Sequence, residues 1–206
     1  MVCEEIRLVT PTLGLKNEAL EYRQEHFDFG EQVINGSELF DKITSYEEWL
    51  EKVIANASTE TVDPNWVLTD TFFAVRVPDH KIVGIVDLRY QLNDFLKDFG
   101  NCGYSVRPSE RRKGYATEIL RQICLVARKH GLKQLQLSVE KDNAASIKII
   151  VKGGRYDLHQ NRINEKRLPY FPAAPLQSCQ SICNKWNAIP DPKIASFLVR
   201  FSVCPQ

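Results

Sequence analysis

The residues of this chain best placed to do chemistry stand together in Arg107-Pro108-Ser109-Glu110-Arg111-Arg112-Lys113-Gly114-Tyr115-Ala116-Thr117-Glu118. They join an apolar, strand-like segment, Gly103-Tyr104-Ser105-Val106, to a strongly helical one at residues 117–130. A strand that passes through a basic, glycine-containing loop into a helix start is a device for holding an anion. The first amides of a helix lack intrahelical partners, and the helix dipole favours negative charge there. Gly114 lets the backbone approach a bulky ligand without a Cβ in the way, and Arg111, Arg112 and Lys113 add formal charge. The ligand this predicts is a phosphate or pyrophosphate. The loop is not a Gly-x-x-x-x-Gly-Lys-Ser/Thr phosphate loop, and Gly-x-Gly-x-x-Gly is absent.

Arg-x-x-Gly-x-Ala preceded by Val-Arg-Pro resembles the acetyl-CoA pyrophosphate loop of the GNAT N-acetyltransferase superfamily. A second block follows: Leu135-Gln136-Leu137-Ser138-Val139 reads as a strand, and Glu140-Lys141-Asp142-Asn143-Ala144-Ala145-Ser146 opens a helix. The resemblance covers residues 5–171. It is closest to a group of uncharacterised acetyltransferases that share Ile34-Asn35-Gly36-Ser37, Glu48-Trp49-Leu50 and Lys113-Gly114-Tyr115-Ala116. It implies an α/β (α+β) GNAT fold, a mixed and mostly antiparallel sheet with helices on both faces, with acetyl-CoA as cosubstrate.

The resemblance also distributes roles. The amides of Arg112, Lys113, Gly114, Tyr115 and Ala116, with the Thr117 hydroxyl, take the pyrophosphate, and Arg111 belongs to the same loop. Backbone groups of Tyr104, Ser105 and Val106 bond the pantetheine as an added strand would. Asn143 and Ser146 sit near the cofactor. The acceptor is set by the first two helices and the loops at 34–40 and 90–100, so Asn35, Ser37, Arg89, Tyr90 and Asn93 are candidate contacts.

Acyl transfer to an amine also requires protons to move. Two positions that often serve this purpose in the family hold Asn101 and Ile150 here. The candidates left are Asp87, Glu140 and Tyr104. Asp87 and Arg89 lie two apart on one strand and share a face, either lining the acceptor pocket or pairing structurally. Tyr104 either donates a proton or packs, and a relayed water is a further candidate base. The implied function is an N-acetyltransferase acting on a primary amine of a small molecule, peptide or protein. The alternative is a non-catalytic acyl-CoA-binding sensor or interaction module on the same fold.

The elements that must position these residues can be read from periodicity. Ile6-Arg7-Leu8-Val9 alternates as a strand stopped by Pro11, and residues 16–27 are helical with Ala19, Tyr22, Arg23 and His26 on one side. Ser45-x-x-Glu48 is a capping box opening a helix with Tyr46, Trp49, Leu50, Val53 and Ile54 at helical spacing. Residues 71–77 and 81–92 form a hairpin about Pro78-Asp79-His80. A strand at 101–106 precedes the loop. The helix after the loop buries Tyr115, Ile119, Ile123, Val126 and Ala127 and stops at Gly131. A strand at 133–139, a helix at 143–152 and strands at 155–162 and 166–171 complete a domain ending at residue 171. Residues 172–206 read as a C-terminal extension.

Bulk properties fit one ordinary globular domain: 206 residues, 43% hydrophobic and 26% charged. A net charge of +1 offers no case for nucleic acid or an anionic membrane. No apolar run approaches the ~20 residues of a membrane helix. The first residues lack a secretion pattern, so the expected compartment is the cytoplasm, with Cys3, Cys102, Cys124, Cys179, Cys183 and Cys204 reduced. Cys179, Cys183, Cys204 and His159 do not match a recurrent zinc spacing, and no metal is expected.

Overall fold

The structure is a computed structural model, and the residues it describes are 3–140, 143, 146, 156–161 and 196–202. For Glu140 and the last two stretches, only the backbone is described.

Four strands form the first sheet: β1 (Ile6–Val9), β2 (Thr69–Arg76), β3 (Ile82–Arg89) and β4 (Cys102–Val106). They lie in the order β1-β2-β3-β4, every neighbouring pair antiparallel. Alternation along the strands gives the sheet two apolar faces, and each face receives helices. On one, α1 (Lys16–Asp28) and α2 (Tyr46–Asn56) contribute Ala19, Tyr22, Trp49, Leu50 and Val53 against Phe73, Val75, Ile82 and Ile85. On the other, α3 (Tyr115–Lys129) sets Ile119, Ile123 and Ala127 on Ala74, Val86, Leu88 and Val106.

The ends of these elements follow their local chemistry. The Ser45 hydroxyl takes the Glu48 amide at 3.3 Å and caps α2, while the Glu48 carboxylate turns to Lys52 at 3.1 Å. The capping box is therefore half made. The β2–β3 turn is closed by Asp79, whose carboxylate receives Arg76 Nε and Nη2 at 2.8 and 2.6 Å.

A second sheet is built from β5 (Gln134–Glu140), β6 (Tyr156–Asn161) and β7 (Ser196–Ser202), in the order β5-β7-β6, all antiparallel. The sequence places β7 within the extension beyond residue 171. The structure sets it at the centre of this sheet, paired along its whole length with β5. The strand expected at 166–171 and Cys179, Cys183 and Cys204 lie outside the described residues. So does most of the helix expected at 143–152. Among the described residues, no helix is long and apolar enough to cross a membrane.

Candidate active site

The first sheet meets the second at Asn101. Its amide donates to the Gln136 carbonyl at 2.6 Å, and its carbonyl takes the Arg89 amide at 2.7 Å. Its side chain repeats the link: Nδ2 donates to the Arg89 carbonyl at 3.0 Å and Oδ1 takes the Gln136 amide at 3.1 Å. Beyond this knot the strands part. Together with the Ser138 amide, which donates to the Phe99 carbonyl at 3.3 Å, the Asn101–Gln136 bond makes an antiparallel bridge, Gly100 to Leu137.

The register of β4 decides which groups face the opening. Arg89 N–H bonds Asn101 and Arg107 N–H bonds Val83, so odd-numbered residues turn their main-chain groups to β3. Ser105 is among them, and its carbonyl also takes the Tyr22 hydroxyl at 3.3 Å. The main-chain groups of Tyr104 and Val106 face the open edge instead. The Val106 carbonyl there takes Arg111 Nε at 3.1 Å. The Tyr104 amide and carbonyl and the Val106 amide have no partner among the described residues.

The phosphate-type loop continues from this edge. Arg107, 3% exposed, anchors it to α1, with Glu18 and Glu25 at 3.5 and 3.4 Å and the Tyr22 ring at 5.9 Å. Glu25 also accepts the Ser109 amide at 2.8 Å. After a tight turn at Pro108–Glu110, the backbone is left-handed at Arg112, φ 63°, and at Gly114, φ 98°, which caps α3. Among the described residues, no acceptor takes the amides of Arg112, Lys113, Gly114, Tyr115 or Ala116. This row of main-chain donors at a helix start fits a pyrophosphate.

The three basic side chains divide. Arg111 gives two guanidinium N–H groups to Glu31 at 2.6 and 2.7 Å, and Lys113 bonds Glu110 at 2.8 Å. Arg112 is exposed and has no partner among the described residues. The sequence assigns all three to the anion. In the structure, two of them shape the loop and one is left over. Thr117 lies exposed in the first helical turn.

Tyr104 spans the opening. Its side chain is on the α3 face, and its hydroxyl bonds Ser146 Oγ, past β5, at 3.3 Å. Asn143 Oδ1 accepts the Ser146 amide at 3.0 Å. Burial raises the Tyr104 phenol above its ordinary pKa, against a smaller opposing effect of the Ser146 bond, so the phenol keeps its proton. Glu140 ends β5, and its side chain lies outside what is described.

Asp87 and Arg89 lie on the opposite face, toward α1 and α2, and they are ion-paired. Asp87 is fully buried, and its other oxygen takes the Gly103 amide at 2.6 Å. Both oxygens are thus engaged, and no surface is left for direct contact with an acceptor. The sequence expects an accessible base here. The reason for the difference is the loop at 34–41, which closes over the strand. Gly36 packs so tightly on Gly103 that a Cβ on Gly36 would fall 2.1 Å from the Gly103 carbonyl oxygen.

That loop delivers Glu38, which the sequence reading passed over. Its side chain is 6% exposed, with Oε1 3.8 Å from Arg89 and Oε2 3.3 Å from Asn56 Nδ2. Burial first, then the Asp87 charge, raise the Glu38 pKa to about 7, against the opposing pull of Arg89. Asp87 is raised as well, chiefly by burial. Nothing local marks Glu38 as special, because its neighbours come from β3, α2 and the loop before β2.

The other expected acceptor contacts disperse. Ser37 is buried and structural: its hydroxyl takes the Phe40 amide at 3.2 Å and its carbonyl takes the Trp49 indole at 2.8 Å. Asn35 is exposed on the same loop. Asn93 caps a turn through the Leu96 amide at 2.8 Å. Tyr90 belongs to the α3 face, bonded to Asp70, with its ring tilted against that of His130 at 4.7 Å between centroids.

Residues 38–155 match the family profile described as Acetyltransferase (GNAT) domain. Since this is more than half of the chain, the protein belongs to the GNAT acetyltransferase family. No curated protein matches it. Among solved structures, it is similar to a GNAT-family acetyltransferase from Streptococcus pneumoniae, at 16% identity and TM-score 0.59, covering 96% of this chain and 99% of that one. It is similar to the microcin C7 self-immunity acetyltransferase MccE, described in complex with acetyl-CoA and AMP, at 14% identity and TM-score 0.59, covering 96% and 92%. It is also similar to yncA from Salmonella typhimurium, described with its cofactor acetyl-CoA, at 11% identity and TM-score 0.58, covering 98% and 95%. These likenesses are of fold.

Proposed function

We propose that the protein transfers an acetyl group from acetyl-CoA to a primary amine. One observation carries this reading. The outward main-chain groups of Tyr104 and Val106 and the unpartnered amides of residues 112–116 are consecutive along the chain. Together they offer an extended ligand first a strand edge and then an anion cradle. Pantetheine and pyrophosphate follow one another in the same order along CoA. Arg112 supplies the free positive charge, and Gly114 keeps the cradle open.

In this reading, a main-chain amide of β4 polarises the thioester carbonyl. Tyr104, held protonated and aimed by Ser146, is the group to give a proton toward the departing sulfur. The acceptor enters from the α1–α2 face, over the loop at 34–41.

Asn101 supports the non-catalytic alternative to one extent only: all its polar groups are spent on the strand junction, so it does not move protons. The experiment that separates the readings follows free thiol release from acetyl-CoA with a panel of primary amines. Amine-dependent release that falls in Tyr104→Phe supports transfer. Tight CoA binding with no amine-dependent release would favour the binding module.

A further inference from the structure

Gly36 and Gly103 meet backbone to backbone. A Cβ on Gly36 would fall 2.1 Å from the Gly103 carbonyl oxygen, 2.3 Å from its carbon and 2.7 Å from the Tyr104 nitrogen. A Cβ on Gly103 would fall 2.8 Å from the Gly36 nitrogen. The peptide unit that joins Gly103 to Tyr104 is therefore covered by Gly36 from the α1–α2 side.

That unit carries the Tyr104 amide, one of the two main-chain amides that β4 turns to the opening; the other is that of Val106. Val106 stands nearer the amide row at 112–116 along the chain, and Tyr104 farther from it. The next even-numbered residue, Cys102, is 3% exposed and adjoins the Asn101–Gln136 knot. With its pyrophosphate on the amide row and its pantetheine along β4, CoA runs its thioester end toward Tyr104.

A glycine just before such a donor gives the adjoining peptide planes wide freedom to turn. Two contacts remove that freedom. Asp87, fully buried, takes the Gly103 amide at 2.6 Å, and Arg89 holds its other oxygen. The Gly103 N–H is fixed toward β3, and the next N–H along the strand, that of Tyr104, points to the opposite edge. Gly36 then blocks the face of the unit. Its loop is itself anchored, with Ile34 and Phe40 in the core and the Ser37 carbonyl taking the Trp49 indole at 2.8 Å. On the far side of Tyr104, the Tyr22 hydroxyl holds the Ser105 carbonyl at 3.3 Å.

We infer that Asp87 and Gly36 are positioning residues of the transfer, which fix the Gly103–Tyr104 peptide so that the Tyr104 amide receives the thioester carbonyl oxygen. This rests on the acetyl-transfer reading above and names the amide that reading requires. As the amine nitrogen forms the N–C bond, the carbonyl electron pair moves to oxygen, and the Tyr104 N–H donates a hydrogen bond to it without losing its proton. The carbonyl re-forms as the C–S bond breaks. The sulfur keeps that pair, and the proton lost by the nitrogen balances the thiol. A donor set in place beforehand stabilises this charge without reorganisation. The buried Asp87–Arg89 pair thereby has a task that needs no contact with the acceptor.

The test uses the full chain and no acceptor. In amide NMR of the native protein, the Tyr104 proton is expected to move further downfield with acetyl-CoA than with CoA, which lacks the carbonyl. In infrared spectra, acetyl-CoA labelled with 13C at the carbonyl is expected to absorb at lower wavenumber when bound than in buffer. In Asp87→Asn and in Gly36→Ala that band should return toward its buffer position, while calorimetry shows acetyl-CoA still bound. Circular dichroism selects the folded variants, and the comparison of the two ligands in the native chain decides the role of Tyr104 even where neither variant folds. Equal Tyr104 shifts with the two ligands, or a band that keeps its native position in a folded variant, overturns the inference and leaves the donor site intact. Binding of neither ligand overturns the donor reading as well.

Discussion

Asn101 and Gln136 are tied twice, through the Asn101 amide to the Gln136 carbonyl at 2.6 Å and through the Gln136 amide to Asn101 Oδ1 at 3.1 Å. This is the point from which β4 and β5 diverge, so the side chain sets where the opening begins. Asn101→Ala strands the Gln136 amide and the Arg89 carbonyl. It should cost about 1–3 kcal/mol of stability for each group left unsatisfied, read by denaturant unfolding, and should weaken CoA. Asn101→Glu should not supply a base, and it should lose stability as well. An Asn101→Ala protein with native stability would show that the knot is not structural.

Arg111 and Arg112 are adjacent in sequence and opposite in role. Arg112→Ala should weaken CoA by about tenfold, or ~1.4 kcal/mol, with little change in melting temperature. Arg111→Ala removes the paired bonds to Glu31 and the bond to the Val106 carbonyl. It should lower both melting temperature and CoA affinity. Equal thermal losses in the two variants would remove the distinction.

Much of this was legible in the sequence, for local reasons. The loop at 107–118 reads as an anion loop because glycine and helix-start chemistry act over a few residues, and the structure gives it amides without an acceptor among the described residues. Ser45 announced a helix for the same reason. The ion pair of Asp87 and Arg89 followed from period-two alternation. What escaped were relations made only by the fold. Glu38 sits in a loop without periodicity, and its neighbours come from distant elements. Arg111 and Lys113 looked like free charge because Glu31 and Glu110 were not seen as partners. Tyr90 lies at the end of β3, where its face could not be fixed without the register. The segment at 196–202 is apolar, but its pairing with β5 spans more than fifty residues of chain.

That pairing carries its own expectation. A chain ending at residue 174 would lack β7 and leave β5 and β6 each with an open edge. Exposed edges invite aggregation. The truncated protein should be less soluble and melt lower than the full chain, by light scattering and calorimetry. A soluble, CoA-binding protein ending there would return residues 172–206 to the status of an appendage.

Two buried groups should give stability opposite dependences on pH. Glu38 has its pKa raised from 4.5 to about 7, chiefly by burial. Its contribution is full below 4.5 and is lost as pH rises through about 7. Glu38→Gln should therefore gain on the native protein in melting temperature across that interval. His26 is fully buried, and burial, partly offset by its bond to Glu31, lowers its pKa below 6.5. Its contribution is present above 6.5 and is lost as pH falls through the lowered value. His26→Gln should lose less than the native protein on acidification. A pH-independent difference between each variant and the native chain would contradict these assignments.

The most direct test of the donor site is calorimetric titration of CoA into the native protein and into Gly114→Glu. Gly114 stands at φ 98°, in the middle of the unpartnered amides. A carboxylate there meets the phosphates with like charge, and a side chain strains the left-handed backbone. The native protein should bind, and Gly114→Glu, still folded by circular dichroism, should bind at least tenfold more weakly, a loss of ~1.4 kcal/mol or more. Unchanged CoA affinity in a folded Gly114→Glu protein would contradict the placement of the donor at the head of α3.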